Sequence, residues 1–372
     1  MKFLNSHLKS LDGVRGLAAI LVVFAHYSND VNLWTVELKF LGQVGVMIFF
    51  TLSGFLMMHI SRGVTFNISN IASFWQRRLV RVLPLFVFSL VIAYCYQYLF
   101  RSIGYSSSVL AFNFFQDFSI VLKNLFFIRG DEIFWTIGVE IFFYVLFPIF
   151  WFVYSFSSRK GLNVALLLIV VMCFYSYQQY TEGRNYLPIS VGRLNLHIAY
   201  FLLGLLGYAI FDFLKGMCRY TYLKEAFNFI WLLSIGMIFI SLSFVQRELF
   251  ENEHFYDYKS LWLDNYTMMV GVALFITISP LSSIAFYMLG NKYLAFCGMV
   301  SYSMYLLHRY PLRAFTLISE SSDTVKLIVF FFGLLPIVIT MAYLGYKYVE
   351  RPCQRFMMRC IKIKPLTSPL KS

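Results

Sequence analysis

Residues 11–27 read LDGVRGLAAILVVFAHY, an apolar run with an arginine, Arg15, near its start and a histidine, His26, near its end. As an α-helix, a run of this length crosses most of the hydrocarbon core of a bilayer. The two side chains then differ by about 20° in azimuth and stand about 16 Å apart along the axis. Ionisable groups inside membrane spans usually face a protein interior or a wet cavity. The stretch therefore predicts a membrane helix with a path for a polar ligand along one face.

The composition indicates that the whole chain is a membrane protein. Of its 372 residues, 59% are hydrophobic, 20% are aromatic and 13% are charged, and the mean hydropathy is +0.69. A soluble domain has about 25% charged residues. The six cysteines are scattered without metal-ligand spacing, so we expect neither a disulfide framework nor a metal site. No small-residue cleavage site follows His26, and we interpret the first span as an uncleaved helix.

We predict an all-α integral membrane protein with about ten transmembrane helices. The spans are expected near residues 11–29, 41–60, 82–100, 133–154, 162–178, 195–213, 227–246, 263–283, 292–311 and 326–346. Most of the 31 Lys and Arg residues then fall in segments on one side, and most of the 18 Asp and Glu residues in segments on the other. Because an excess of Lys and Arg marks cytoplasmic segments, both termini are expected in the cytoplasm. Residues 1–350 form the predicted transmembrane domain, and residues 351–372 a basic cytoplasmic tail.

A cluster of arginines precedes the third predicted span, in FWQRRLVRVLP at residues 74–84. Arg77 and Arg81 are four residues apart and share a helix face, and Arg78 lies beside them. Paired guanidinium groups suit fork-shaped hydrogen bonding to a phosphate. The alternative is that the cluster holds anionic lipid headgroups at the membrane surface.

A third intramembrane charge is Glu140, in FWTIGVEIFFYVLFP at residues 134–148. A lone carboxylate in an apolar span must protonate or find a partner, and His26 and Arg15 are the expected partners. A carboxylate that orients a histidine fits general-base catalysis on a hydroxyl group. Structural alternatives stay open: Arg15 snorkels to the headgroups, His26 bonds a neighbouring helix, or Glu140 is protonated.

Six segments, in this order, resemble the membrane acyltransferase 3 family of bacterial O-acyltransferases. In the first, Arg15 and His26 match an arginine and a histidine with ten residues between them. The others are GVMIFFTLSGFLM, RRLVRVLP, FWTIGVEIFFYVLFP, SYSMYLLH and YKYVERP. The chain departs from the family pattern at Thr136, where serine is usual, and at Ile141, where a second glutamate is usual. The sequence ends soon after the tenth span, so we expect a stand-alone member.

The resemblance and the charged residues together predict a site. The expected catalytic residues are His26 and Glu140, and the expected donor-binding residues are Arg15, Arg77, Arg78 and Arg81. The expected substrate-binding or supporting residues are Ser53, Tyr302, Tyr305 and His308. The first three of these are candidates to stabilise an oxyanion. His308 is a candidate to bind the acceptor, or it is a structural histidine at the membrane interface.

The resemblance implies the reactants and the location. The donor would be acetyl-coenzyme A or another acyl-CoA on the cytoplasmic side, with no metal. The acceptor would be a hydroxyl of a glycan or lipid-linked glycan, such as O-antigen or exopolysaccharide, at the inner membrane of a bacterium. Membrane lipids are expected partners and nucleic acid is not. Direct transfer is favoured because no GxSxG pattern is present, although an acyl-histidine intermediate stays open.

The rival function is a transporter or flippase for lipid-linked sugars. Such proteins also have many spans and buried charges, but they commonly carry inverted repeats and broken helices in matching halves. In this sequence the intramembrane charges concentrate in the first four predicted spans. A purely structural scaffold would leave Arg15, His26 and Glu140 unexplained.

Overall fold

The structure is a computed structural model that describes residues 9–33, 38–102, 117–156, 189–217, 221–242, 245, 265–312, 314–315 and 320–361. These residues form helices and connecting turns, with no strand among them. The predicted all-α class is therefore confirmed for the described part of the chain.

The longer helices come first in the chain and the shorter ones later. They are α1 (Lys9–Asp30), α2 (Lys39–Ser61), α3 (Ile68–Ser102), α4 (Phe118–Leu125), α5 (Trp135–Phe156), α6 (Ile189–Leu214), α7 (Thr221–Ile240), α8 (Tyr266–Ile278), α9 (Ser283–Leu289), α10 (Lys292–Met299), α11 (Ser301–Leu307), α12 (Arg309–Leu312), α13 (Asp323–Val329), α14 (Leu335–Gly345) and α15 (Arg351–Cys360). A 3-10 turn, Glu132–Phe134, leads into α5. Two π-helical turns, Phe330–Leu334 and Tyr346–Glu350, join the last three helices.

Within the described residues, seven helical segments are long and apolar enough to cross a membrane. They are Lys9–Asp30, Phe40–Ser61, Ile68–Leu99, Glu132–Ser155, His197–Met217, Tyr222–Ile240 and Asp323–Cys360. The chain is thus a multi-pass membrane protein. The predicted fifth span, 162–178, lies outside the described residues. The total of about ten and the cytoplasmic location of the termini stay predictions.

Two predicted spans are broken. The eighth, 263–283, is the pair α8 and α9, bent by 89°. Pro280 follows α8 and lacks the N–H that would continue the helix. Side-chain hydrogen bonds satisfy backbone groups that the bend leaves without helical partners. Asn228 Oδ1 accepts hydrogen bonds from the Ile284 N–H and from the Ser282 hydroxyl. A bend inside a membrane needs such internal partners because lipid supplies none.

The ninth predicted span, 292–311, is divided among α10, α11 and α12, with a break at Val300. At the break, the Ser301 hydroxyl donates to the Gly298 carbonyl at 2.9 Å. The Gly298 Cα lies against the Asp12 carbonyl of α1, where an added Cβ would collide with the α1 backbone. The break therefore lets α10 approach α1 at backbone distance while α11 follows a different direction. Close approach at small residues is a common device in membrane bundles.

The third and tenth predicted spans are longer than expected. Helix α3 begins at Ile68 rather than near residue 82, so the arginine cluster lies within the helix and ahead of Pro84. The last helical segment runs from Asp323 to Cys360, across the predicted boundary at residue 350. The division into a transmembrane domain and a tail stays a prediction.

Helix α1 is the centre of the bundle and packs against α2, α9, α10 and α11. It is antiparallel to α2, because Gly42 lies against Ala25 and Gly45 against Val22. The end of the bundle where α1 begins and α2 ends is called the arginine end. The opposite end, where α1 ends and α2 begins, is called the histidine end. The face of α2 that is turned away from α1 packs against α6 at backbone distance. A Cβ added at Gly54 would collide there with the Phe201 carbonyl.

Candidate active site

A cavity that is partly open to solvent lies between α1, α2, α3, α5 and α11. Seven of the ten sequence-predicted site residues line it: Arg15, Ser53, Arg78, Arg81, Glu140, Tyr302 and Tyr305. Phe49, Phe50 and Leu56 supply apolar walls. The cavity therefore combines an apolar channel with a charged group of residues, as expected for a ligand with an anionic part and an apolar or slender part.

Two of the three arginines that line the cavity, Arg78 and Arg81, form no ion pair among the described residues. The Arg15 guanidinium lies 3.9 Å from the exposed Asp12 carboxylate. Arg78 is 8% exposed and stacks over the Tyr144 ring at 5.6 Å, and its Nη2 atom has no hydrogen-bond partner in the described structure. Within the described residues, neither Arg78 nor Arg81 has a carboxylate within 4.0 Å. An anion would find unpaired guanidinium groups here.

Arg77 differs from its neighbours because it is not part of the cavity lining. The spacing of four residues predicted that Arg77 and Arg81 would act as a pair. The structure instead brings Arg78 and Arg81, three residues apart, to the cavity. Spacings of three and four both keep side chains on one helix face, and the rotation of α3 against α5 decides between them. Arg81 is exposed and marks the mouth of the cavity, whereas Arg78 is buried inside.

Glu140 accepts hydrogen bonds from the Ser53 hydroxyl, at 3.2 Å, and from the Tyr144 hydroxyl one turn further along α5. The expected contact between Glu140 and His26 is not formed in the described structure. The physical reason is local: Tyr144 stands one helical turn away and Ser53 faces the carboxylate across the cavity. Of the two predicted partners, Arg15 is the one that lines the same cavity.

The candidate oxyanion donors are already engaged. The Tyr302 hydroxyl donates to the Val82 carbonyl at 2.7 Å, and the Tyr305 hydroxyl donates to the Ile133 carbonyl at 3.0 Å. Thr136 donates to the Tyr305 oxygen at 3.1 Å, so threonine supplies the hydroxyl expected from the usual serine. These bonds fix α11 against α3 and against the start of α5. The hydroxyls would have to leave these partners to bind an oxyanion.

His26 and His308 lie together at the histidine end, beyond the cavity lining. Their ring centroids are 5.1 Å apart, and the His308 ring lies 6.1 Å from the Tyr305 ring. Next to them, Arg309 pairs with Asp30 at 3.2 Å and with Glu132 at 3.5 Å. The residues that the sequence predicted on one path are therefore divided, with the arginines and Glu140 around the cavity and the histidines beyond Tyr305.

Sequence reasoning missed Glu350 as a site residue. It is 5% exposed and accepts hydrogen bonds from the Ser303 hydroxyl at 2.8 Å and from Gln354 at 3.2 Å. Gln354 also donates to the Arg81 carbonyl at 3.3 Å. Glu350 thus holds α11 and α15 close to the mouth of the cavity. The signal in the sequence was an acidic residue directly after a long apolar run, in YKYVERP.

The class of protein follows from the comparisons with known proteins. The family model described as an acyltransferase domain, acyltransferase 3, matches residues 8–347 of the chain. The chain therefore belongs to the acyltransferase 3 family.

Two relatives make the likeness more specific. A provisionally named O-acetyltransferase of Staphylococcus aureus (strain COL) is 23% identical over 98% of this chain and 60% of its own length. The O-acetyltransferase OatA of Staphylococcus aureus (strain NCTC 8325) is 24% identical over 94% of this chain and 57% of its own length. The chain thus spans about three fifths of the length of the curated relatives it matches. No solved structure matches the chain.

Proposed function

We propose that the protein is a membrane O-acetyltransferase that moves an acetyl group from acetyl-coenzyme A to a hydroxyl of a surface glycan or glycolipid. The observation that carries the proposal is the cavity lined by Arg15, Arg78 and Arg81 within an acyltransferase 3 bundle. The names of the relatives support O-acetyl transfer as the reaction type. The inner membrane of a bacterium, with the arginine end in the cytoplasm, is the proposed location.

The donor site is proposed at the arginine end. Coenzyme A carries several phosphates and a slender uncharged arm. Arg81 at the mouth and Arg78 inside it are suited to the phosphates, because each has guanidinium donors and no carboxylate within 4.0 Å among the described residues. The apolar walls beyond them, at Phe49 and Phe50, are suited to the arm. Arg77 is left out of the proposed donor site because it does not line the cavity.

The chemistry is proposed to take place at the histidine end. His26 takes a proton from the acceptor hydroxyl as its oxygen attacks the thioester carbonyl carbon. The carbon–sulfur bond then breaks, and the departing thiolate of coenzyme A takes the proton back from His26. Glu140 is proposed to act on the donor side instead, because its hydrogen bonds order Ser53 and Tyr144 in the cavity wall. A histidine acyl intermediate would use the same unprotonated nitrogen of His26 as a nucleophile.

One observation favours the rival flippase: the pair α8 and α9 is a broken helix, a feature common in transporters. Transporters pair such a break with a second one in the other half of the fold. The other broken span among the described residues, with its break at Val300, lies in the same part of the chain as the α8–α9 pair, so these two breaks are not in matching halves. The acyltransferase proposal therefore stands ahead of the flippase.

The test is mass spectrometry of surface glycans and glycolipids from four strains. These lack the protein, express the wild type, express His26→Ala, or express His59→Ala, all at matched membrane levels. His59 is the control because it packs on Tyr208, away from the cavity lining. An acetyl adduct in the wild-type and His59→Ala strains alone supports the proposal. An adduct that persists with His26→Ala contradicts the role of His26. No adduct, with altered sidedness of lipid-linked sugars, supports the flippase.

A further inference from the structure

The hydrogen bond of His308 determines which of its ring nitrogens carries the proton. His308 Nδ1 lies 2.8 Å from the carbonyl oxygen of Tyr305. A carbonyl oxygen only accepts, so Nδ1 must be the donor. A neutral imidazole has one donor and one acceptor nitrogen, which leaves Nε2 with a free lone pair. A second proton would place a buried cation directly beside Arg309, so the neutral ring is the favoured form.

This lone pair is buried and unused. His308 is 0% exposed, and its Nε2 has no hydrogen-bond partner in the described structure. An unsatisfied buried acceptor is unfavourable, and native proteins rarely keep one without a reason. A purely structural histidine would need only its bond to Tyr305, which holds the turn between α11 and α12.

The nearest ring to this acceptor is that of His26. The two centroids are 5.1 Å apart and the ring planes are tilted by 37°. The separation of the rings leaves room for a hydrogen bond between a His26 ring N–H and His308 Nε2, a bond that the proposal requires the half-buried His26 side chain to rotate to form. The charged groups nearby are Arg309 and its two carboxylates, Asp30 and Glu132, so the positive charge of Arg309 is more than offset.

We propose that His308 is a positioning residue that accepts a hydrogen bond from His26 and thereby fixes the tautomer of His26. This inference rests on the proposed function. With one His26 nitrogen donating to His308 Nε2, the other nitrogen is unprotonated and free to take the proton of the acceptor hydroxyl. The bond to His308 persists when His26 becomes an imidazolium, and it stabilises that cation. His308 itself gains and loses no proton in the cycle.

Two substitutions of His308 separate this role from a structural one. In His308→Asn the amide nitrogen takes the place of Nδ1 and keeps the bond to Tyr305, but no acceptor remains at the Nε2 position. In His308→Gln the longer side chain puts an amide oxygen near the Nε2 position. We expect kcat of His308→Asn to fall about tenfold or more, which is part of the roughly 10²–10⁴ that general-base catalysis contributes as a whole. The KM for acetyl-coenzyme A should stay unchanged, and His308→Gln should retain more of kcat. Equal or better activity of His308→Asn would overturn the proposal, because it would show that the Tyr305 bond is what matters.

A second readout does not depend on turnover. Nitrogen-15 histidine NMR of the full chain in nanodiscs, with signals assigned by single substitutions, reports the tautomer of His26. One tautomer in the wild type and a mixture in His308→Asn would support the proposal. An unchanged His26 signal in His308→Asn would overturn it. If the wild type transfers no acetyl group, the proposed function fails, and the NMR result still decides whether His308 positions His26.

Discussion

At the arginine end, three cationic side chains surround the cavity and Glu140 is the one carboxylate in its described lining, whereas at the histidine end Arg309 alone is paired with two carboxylates. The first arrangement leaves positive charge for a ligand to neutralise. In the second, the one cation, Arg309, is fully paired, and the unused group is a histidine nitrogen, Nε2 of His308, without a hydrogen-bond partner. From this difference we propose that the two ends of α1 have separate roles, anion binding at the arginine end and proton transfer at the histidine end.

The largest expected effect is at the histidine end. His26→Ala should lower kcat by roughly 10²–10⁴, the usual contribution of a general base. The KM for acetyl-coenzyme A should change little, because the proposed donor site lies at the other end of α1. Steady-state kinetics in nanodiscs with a soluble acceptor analogue would measure both constants. A rise in KM with unchanged kcat would break the division between the two ends.

The next effect is at the arginine end. Arg78→Ala should raise the KM for acetyl-coenzyme A by about tenfold to a hundredfold, since a hydrogen bond to a charged group is worth about 1.5–3 kcal/mol. Arg77→Ala is the matched control, because it removes the same charge one residue away, outside the cavity lining. The same kinetics measure both variants. Equal KM values for the two would mean that only general surface charge attracts the donor.

One substitution at each end of α1 tests how much the ion pairs there contribute to stability. Asp30→Asn should lower the free energy of unfolding by about 1–3 kcal/mol, because the buried Arg309 loses a charged partner. Asp12→Asn should change it by less than about 0.5 kcal/mol, since Asp12 is exposed and lies 3.9 Å from Arg15. Thermal or denaturant unfolding in detergent compares the two. Similar losses for both would remove the contrast between the ends.

The smallest effect is expected at Thr136, which lines the cavity and bonds the Tyr305 oxygen. Thr136→Ser keeps the hydroxyl that bonds the Tyr305 oxygen and the Ile133 carbonyl, so kcat and stability should stay within about twofold and about 0.5 kcal/mol of the wild type. Thr136→Val keeps the shape and removes the hydroxyl, and it should lower stability by about 1 kcal/mol. If Thr136→Val is as stable as the wild type, the Tyr305 hydroxyl needs no support from Thr136.

The sequence was sufficient to predict the helical class and seven of the residues that line the cavity. Apolar runs of the right length identify spans, and Arg15, Ser53, Arg78 and Glu140 stand out because polar groups are costly there. The division of α8 from α9 had a local signal in Pro280 that hydropathy alone ignores.

The partners of the site residues could not be predicted in the same way. Spacing indicates which residues share a helix face, but the rotation of each helix against its neighbours decides which of them meet. For this reason Glu140 meets Tyr144 and Ser53 rather than His26, and Arg78 rather than Arg77 enters the cavity. The contact of Glu140 with Tyr144 is local to α5, whereas its contact with Ser53 joins residues far apart in the chain and depends on the packed bundle.

The most direct test of the account is the effect of coenzyme A on the unfolding temperature of purified protein in detergent. A ligand that binds only the folded state raises its stability. Coenzyme A should raise the unfolding temperature of the wild type and of Arg77→Ala, and should raise that of Arg78→Ala far less at the same concentration. An equal rise in all three proteins, or no rise in the wild type, would contradict a donor site at the arginine end.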